Sequence, residues 1–267
     1  MAAEILRRGL GDHRRALVGW CLGVAAYVLV LAAVFPSIEE SQDLGDLLES
    51  YPDAVKSLFG IVGNVDITRG AGYVDTEFFS LMLPLFAIAL GIGSGARTLA
   101  GEEDAGRLEL VLAYPVQRST AVLAKGGAVG VEVAVFCAAA YAALAGASAI
   151  FGLDLPLGRL AGGVLGVGLL ALLHGWLALA VGAAWPSRAA AVGIPAALAA
   201  AAYLVSGLHD LASWLDPLRF ASSFWWTGKS PLSNGVPWWH LGVVALAAVL
   251  ALAAAARLLE RRDLETP

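Results

Sequence analysis

The chain has 267 residues with a formal net charge of −5, 59% apolar and only 15% charged. Its mean hydropathy is +0.75, whereas soluble chains run at about 45–50% apolar and about 25% charged. These values exclude a disordered chain and argue against an ordinary soluble enzyme. Because the apolar residues gather in long blocks, they describe an all-α polytopic membrane protein.

Crossing about 30 Å of hydrocarbon takes about 20 apolar residues at 1.5 Å each. Residues 4–15 place Ile5, Leu6 and Leu10 among Arg7, Arg8, Arg14 and Arg15, a pattern that predicts an interfacial helix with arginines reaching the headgroups. The first span, about 16–35, follows directly. Its apolar run exceeds the 7–15 residues typical of a signal core, and no convincing small-residue cleavage site precedes Pro36, so it reads as a retained helix.

The loop over 37–77 is predicted to lie outside. It carries Leu44, Leu47, Leu48 and Tyr51 at helical spacing. Pro52 then opens a second short helix with Val55, Leu58, Phe59 and Val62. Glu39, Glu40, Asp43, Asp46, Glu49 and Asp53 cluster here and account for much of the negative charge. Gly70, Gly72 and Asp75 mark the turn into the second span, about 78–96. Pro84 in that span and Pro195 in the fifth each remove a helix hydrogen bond and predict kinks. Gly91, Gly93 and Gly95 lie in a span rather than after a strand, so they read as close-packing positions and not as a dinucleotide fingerprint.

Between the second and third spans a helix is predicted over about 101–113. Leu108, Val111 and Leu112 share one face, while Glu102, Glu103, Asp104, Arg107 and Glu109 supply charge. The acidic start suits the helix dipole, and the helix should end before Pro115. A short amphipathic helix of this kind is shaped to dock a soluble partner.

The remaining spans are predicted at about 121–151, 160–184, 189–208 and 238–256. Lys125 reads as a snorkelling residue at the inner interface. Glu132 lies seven residues further, roughly 10 Å along the helix, and needs a polar partner, for which His174 in the fourth span is a candidate. The connection 209–237 carries Trp214, Phe220, Phe224, Trp225 and Trp226, with Trp238 and Trp239 beside it. This reads as an interfacial aromatic belt, with a partly re-entrant segment as the alternative. Cys21 and Cys137 are packing residues rather than a disulfide or metal pair.

Cation placement sets the orientation. With the N-terminus inside, Arg7, Arg8, Arg14, Arg15, Arg97, Arg107, Arg118, Lys125, Arg188, Arg257, Arg261 and Arg262 are inside. Only Lys56, Arg69, Arg159, Arg219 and Lys229 are outside. Both termini are therefore expected in the cytoplasm, with the chain a multi-pass protein of the plasma membrane.

The run from Ala100 to Arg118, Ala-Gly-Glu-Glu-Asp-Ala-Gly-Arg-Leu-Glu-Leu-Val-Leu-Ala-Tyr-Pro-Val-Gln-Arg, resembles the coupling-helix signature of bacterial ABC exporter permeases of the second type. Residues 72–84 look like the same family's approach to its second span, and Arg14-Arg15-Ala-Leu-Val-Gly-Trp20 matches its basic opening helix. The motifs occupy residues 7–20 and 72–118, and one departure is Arg107, where the family usually has threonine.

The resemblance implies one six-span permease domain over 1–267, paired with a second permease half and two cytoplasmic ATP-binding subunits that hold the ATP and magnesium. On that analogy Glu102, Glu103 and Glu109 would meet basic or polar groups of the ATPase, Leu108, Leu112 and Tyr114 would fill its apolar groove, and Arg107 and Pro115 complete the docking set. Because the family's second and fifth spans border its central cavity, Phe79, Met82, Phe86 and Tyr203 become candidate lining residues. Glu132 and His174 are either a structural polar pair or part of the transport path.

The chain itself is not expected to be an enzyme or to bind a metal, a cofactor or nucleic acid. Gly228-Lys229-Ser230 imitates the end of a phosphate-binding loop, but Ser223 stands where the first glycine is required. Ser94 and His174 could be read as an intramembrane hydrolase, yet Ile92 replaces the glycine of the rhomboid-type motif. The expected function is export of a hydrophobic or amphipathic compound such as a drug, antibiotic or lipid. The alternative from another class is a carrier or scaffold that needs no ATPase.

Overall fold

The computed structural model describes residues 2–39, 51–58, 65–101, 117–209 and 213–261. Among the described residues, six helices are long and apolar enough to cross a membrane: Arg14–Glu39, Gly70–Thr98, Arg118–Phe151, Leu157–Ala184, Arg188–Leu208 and Trp238–Arg261, here spans one to six. No strand occurs among the described residues. Successive spans alternate in direction. One face of the bundle holds the start of span one and the end of span two, and the opposite, distal face holds the connections 152–156 and 213–237.

Residues Ala2–Glu39 form a single helix, so the basic N-terminal segment runs into span one without an intervening turn. Span one packs on span three through matched stripes. Val24, Val28, Leu31 and Phe35 recur at three- and four-residue spacing, as do Val129, Val133, Phe136, Ala140 and Leu144 on the other side. That spacing keeps one helix face turned inward.

Span two begins earlier than its hydropathy indicates. Before it, the Asp66 carboxylate accepts hydrogen bonds from the Thr68 hydroxyl at 2.6 Å and the Thr68 amide at 3.0 Å. Arg69 lies 3.2 Å from its other oxygen. The Thr68 hydroxyl is the main reason the Asp66 carboxyl is held below its usual range. Gly72 passes directly over this turn, where a Cβ would lie 2.1 Å from the Asp66 carbonyl oxygen.

Span two is not one continuous α-helix. Gly70–Val74 is α-helical, Asp75–Phe79 is a π-turn closed by the Ser80 amide on the Asp75 carbonyl at 2.9 Å, and the α-helix resumes at Met82–Thr98. Pro84 therefore stands in the first turn of a new helix, not inside an old one. In a straight helix its ring would clash with the Ser80 carbonyl, and the π-turn with Leu81 at φ −143°, ψ −51° absorbs that conflict. Span five, by contrast, stays helical through Pro195.

Spans two and four form the buried centre. Gly91 and Gly95 lie so near span four that a Cβ would fall 2.4 Å from the Ala171 carbonyl oxygen and 2.1 Å from that of Gly175. Only glycine permits such backbone contact. Gly93, grouped with them on sequence, points elsewhere, its closest neighbour being the Arg97 guanidinium at 3.9 Å. Span six packs on span four, and Leu99, Val122, Leu179, Ala183, Ala255 and Leu259 fill the space where spans two, three, four and six end. Span five buries only Ala191, Pro195, Ala199, Ser206 and Gly207, leaving Val192, Ile194, Leu198 and Leu204 exposed.

The distal connection combines both expected arrangements. Trp214, Trp238 and Trp239 are 70%, 62% and 68% exposed, as a belt requires. The rest folds into short helices, Asp216–Ala221, Ser223–Thr227 and Pro231–Asn234, packed against spans four, five and six. Trp225 and Trp226 are half-buried there, with ring centroids 5.0 Å apart. In the first loop, Asp53–Leu58 is helical, with the Val55 and Lys56 amides bonding back to the Pro52 carbonyl. The partner helix expected around Leu44–Leu48 lies outside the described residues, as do Phe59 and Val62.

Candidate functional site

The candidate docking residues Glu102, Glu103, Arg107, Leu108, Glu109, Leu112, Tyr114 and Pro115 all lie outside the described residues. The stems on either side are described, and both are anchored. Thr98 closes span two by donating its hydroxyl to the Gly95 carbonyl at 2.7 Å. Its own carbonyl, one of the acceptors a helix end leaves unsatisfied, receives the Lys125 ammonium at 2.7 Å. Lys125 is only 5% exposed, so it is not a snorkelling residue: a helix C-terminus draws it inward, supplying acceptors and the negative end of a dipole. On the other stem Arg118 reaches the Leu259 carbonyl at 3.5 Å, and the Trp176 indole donates to the Gly126 carbonyl at 3.0 Å.

Deeper in the bundle, Glu132 on span three is 2% exposed and accepts a hydrogen bond from the buried Ser94 hydroxyl of span two. Arg97 donates to the same Ser94 oxygen at 3.3 Å. Ser94 thus relays between a cation one turn along its own helix and a carboxylate on the next span. His174, the partner expected from the sequence, instead donates Nδ1–H to the Leu170 carbonyl of its own helix at 2.9 Å. With its hydroxyl given to a carboxylate, Ser94 has no arrangement with His174 that resembles an activated nucleophile.

Near the distal face a crevice opens between the break in span two, the glycine face of span four, span five and the short helices. Phe79, Ser80, Pro84, Tyr203, Ser206, Phe224, Thr227, Lys229 and Pro231 are among its lining residues. Two of the sequence candidates, Phe79 and Tyr203, meet here, and Tyr203 packs edge-on against Phe224 at 5.4 Å. The free space is about 20 Å³, about enough for one water molecule. Ser80 and Thr227 turn their hydroxyl hydrogens to the Thr76 and Phe224 carbonyls, while the buried Ser206 oxygen has no bonding partner among the described residues.

Phe86 lies elsewhere. It faces an open apolar groove beside span one with Trp20 and Tyr27, its ring 5.6 Å from that of Tyr27. Met82 packs against the large core cluster.

The crevice is held by residues that the sequence did not single out as site candidates. Asp75, fully buried, accepts from the Leu232 amide at 3.1 Å and the Ser233 amide at 2.7 Å, capping the Pro231–Asn234 turn. Arg159 of span four donates to the Leu232 and Ser233 carbonyls at 2.8 and 3.2 Å. Lys229 donates to the Ser57 carbonyl at 2.8 Å, joining the first loop to the same segment. An acid and an arginine flanking apolar blocks were the available signals, but sequence cannot pair positions 157 residues apart.

Six antiparallel apolar helices around a glycine-packed centre, with polar ties between spans, define a multi-pass helical membrane protein. A family model described as ABC-2 family transporter protein matches residues 3–264. The chain therefore belongs to the ABC-2 transporter family and is a transport-type membrane subunit. Permeases of this family normally work with an ATP-binding subunit. No curated protein matches the chain.

Proposed function

We propose that this chain is the permease subunit of an ATP-driven exporter, pairing with a second permease half and two ATP-binding subunits. The connection 102–116 is the docking element, and both termini face the cytoplasm with it. Closure of the ATP-binding subunits displaces that connection and rocks the spans between inward- and outward-facing states, moving a hydrophobic or amphipathic compound outward.

The observation that carries this reading is the anchoring of both stems of the connection. A push delivered between residues 101 and 117 enters helix ends tied by Lys125 to Thr98 and by Arg118 to Leu259. Family membership over residues 3–264 and the cation asymmetry support it. Spans one and five leave most of their apolar surface uncovered by this chain, which suits a second half.

The test is a mild-detergent pull-down of the tagged chain, scored for a bound ATP-hydrolysing subunit, beside a Glu102→Arg/Glu109→Arg double variant. Retention by the wild type and loss by a still monodisperse variant is the expected result. Equal retention by both would remove these residues from the docking surface. No ATPase on the wild type, under conditions that preserve comparable complexes, would favour an ATPase-independent carrier or scaffold.

A further inference from the structure

We infer that Ser94, Glu132 and Lys125 clamp the end of span two to span three, so that the two spans move as one body when the 102–116 connection is displaced. The inference rests on the permease reading above and adds to it the unit that moves.

An ionised side chain inside the bilayer is costly, so one that is kept has a partner and a use. Glu132 and Lys125 are 2% and 5% exposed, and both bond to span two rather than reaching out of the bundle. Glu132 takes the Ser94 hydroxyl, and Lys125 takes the Thr98 carbonyl at 2.7 Å.

The two attachments are four residues apart on span two and seven apart on span three, about 6 Å and 10 Å along the axes. A single hydrogen bond lets one helix pivot about another, whereas two separated along the axes resist both pivoting and sliding. Arg97 strengthens the first attachment. Instead of reaching out of the bundle from the last turn of span two, its guanidinium folds back beside Gly93 and donates to Ser94 at 3.3 Å. The Ser94 hydroxyl thereby accepts from a cation and donates to an anion, an arrangement that polarises and strengthens both bonds. Glu132 and Lys125 are thus positioning residues for the transmitted motion.

The test uses the complete permease–ATPase complex in nanodiscs, with Cys21→Ala and Cys137→Ala. Spin labels go on positions this chain leaves exposed, Ala89→Cys with Leu123→Cys across spans two and three, and Leu123→Cys with Leu198→Cys as the control across spans three and five. Distances are measured without nucleotide and after vanadate trapping with ATP. The expected result is a control distance that shifts by more than about 2 Å, the scale of a real rearrangement, while the span two–span three distance stays fixed.

Glu132→Ala, and independently Ser94→Ala should Glu132→Ala prove unstable, should broaden that fixed distance. Glu132→Gln, which keeps an acceptor for Ser94, should preserve it. A span two–span three distance that shifts as far as the control, or that is the same in wild type, Glu132→Ala and Ser94→Ala, overturns the clamp alone. A control pair that stays still while the bound ATPase hydrolyses ATP overturns the rocking mechanism, and the clamp with it.

Discussion

Gly95 of span two faces the backbone of Gly175 in span four so closely that an added Cβ would lie 2.1 Å from the Gly175 carbonyl oxygen. Backbone is the obstacle, so no side-chain rotation relieves it. Gly95→Ala should therefore push the two central spans apart, at the about 1–3 kcal/mol of overpacking or above. Gly93→Ala, two residues away with its nearest neighbour at 3.9 Å, should be neutral or slightly stabilising. The check is the half-life of monodisperse protein in detergent at one elevated temperature, a suitable measure where unfolding is irreversible. Equal half-lives for the two variants would contradict this helix contact.

Asp75 holds the distal segment from inside span two through the Leu232 and Ser233 amides. Asp75→Ala strands two donors, at about 1–3 kcal/mol for each one that stays buried. Asp75→Asn keeps one acceptor oxygen but turns an NH₂ toward the second amide, so its loss should be intermediate. Thermal half-lives should rank wild type, Asn, Ala. A cysteine placed at Ser233 should react with an impermeant maleimide faster in the Asp75→Ala background. An unchanged rate would mean that the carboxylate does not hold this turn.

The Tyr73 hydroxyl donates to the Leu31 carbonyl at 3.2 Å, tying span two to span one beside the Phe35 ring, which is tilted 39° against its own. Tyr73→Phe keeps the ring packing and removes only this bond. Interhelical hydrogen bonds in membranes average about 0.6 kcal/mol, so the expected loss of stability is small and should stay well below that of Gly95→Ala. A loss as large as that of Gly95→Ala would assign the hydroxyl a larger role than this one bond.

Span positions were legible because each span is a single long apolar block, and the glycine run of span two because small residues within a span have few other uses. The pairing of Glu132 was not legible. Glu132, Ser94 and His174 were all visible as polar residues in apolar helices, but which of them meet depends on how spans two, three and four rotate about their axes. Periodicity constrains that rotation only to a broad face. Lys125 was misjudged for a related reason. Hydropathy locates it near a span end, where lysines ordinarily snorkel, and gives no sign that another helix terminates beside it. The break at Pro84 was anticipated as a kink, while its form, a π-turn followed by a fresh helix start, follows from packing around Phe78 and Phe79. Asp75 was read only as a turn residue, whereas it lies buried inside span two, because its partners are backbone amides, which carry no residue signature.

Ser206 and Ser222 make a matched pair for testing the crevice. Both are buried, at 1% and 2% exposure respectively, and both lie at the distal end of the bundle. Ser222 caps the helix Ser223–Thr227 by accepting from the Trp225 amide at 3.2 Å and donates to the Ala202 carbonyl of span five at 2.6 Å. Ser206 lines the crevice with its hydroxyl unpartnered. Removing a cap costs about 0.5–2 kcal/mol, so Ser222→Ala should shorten the thermal half-life. Removing a buried hydroxyl that bonds nothing costs little and relieves a desolvation penalty, so Ser206→Ala should leave the half-life unchanged or longer. If Ser206→Ala instead destabilised the protein as much as Ser222→Ala, its hydroxyl would be bonded in the resting state, for instance to a trapped water, and the crevice would be filled in that state.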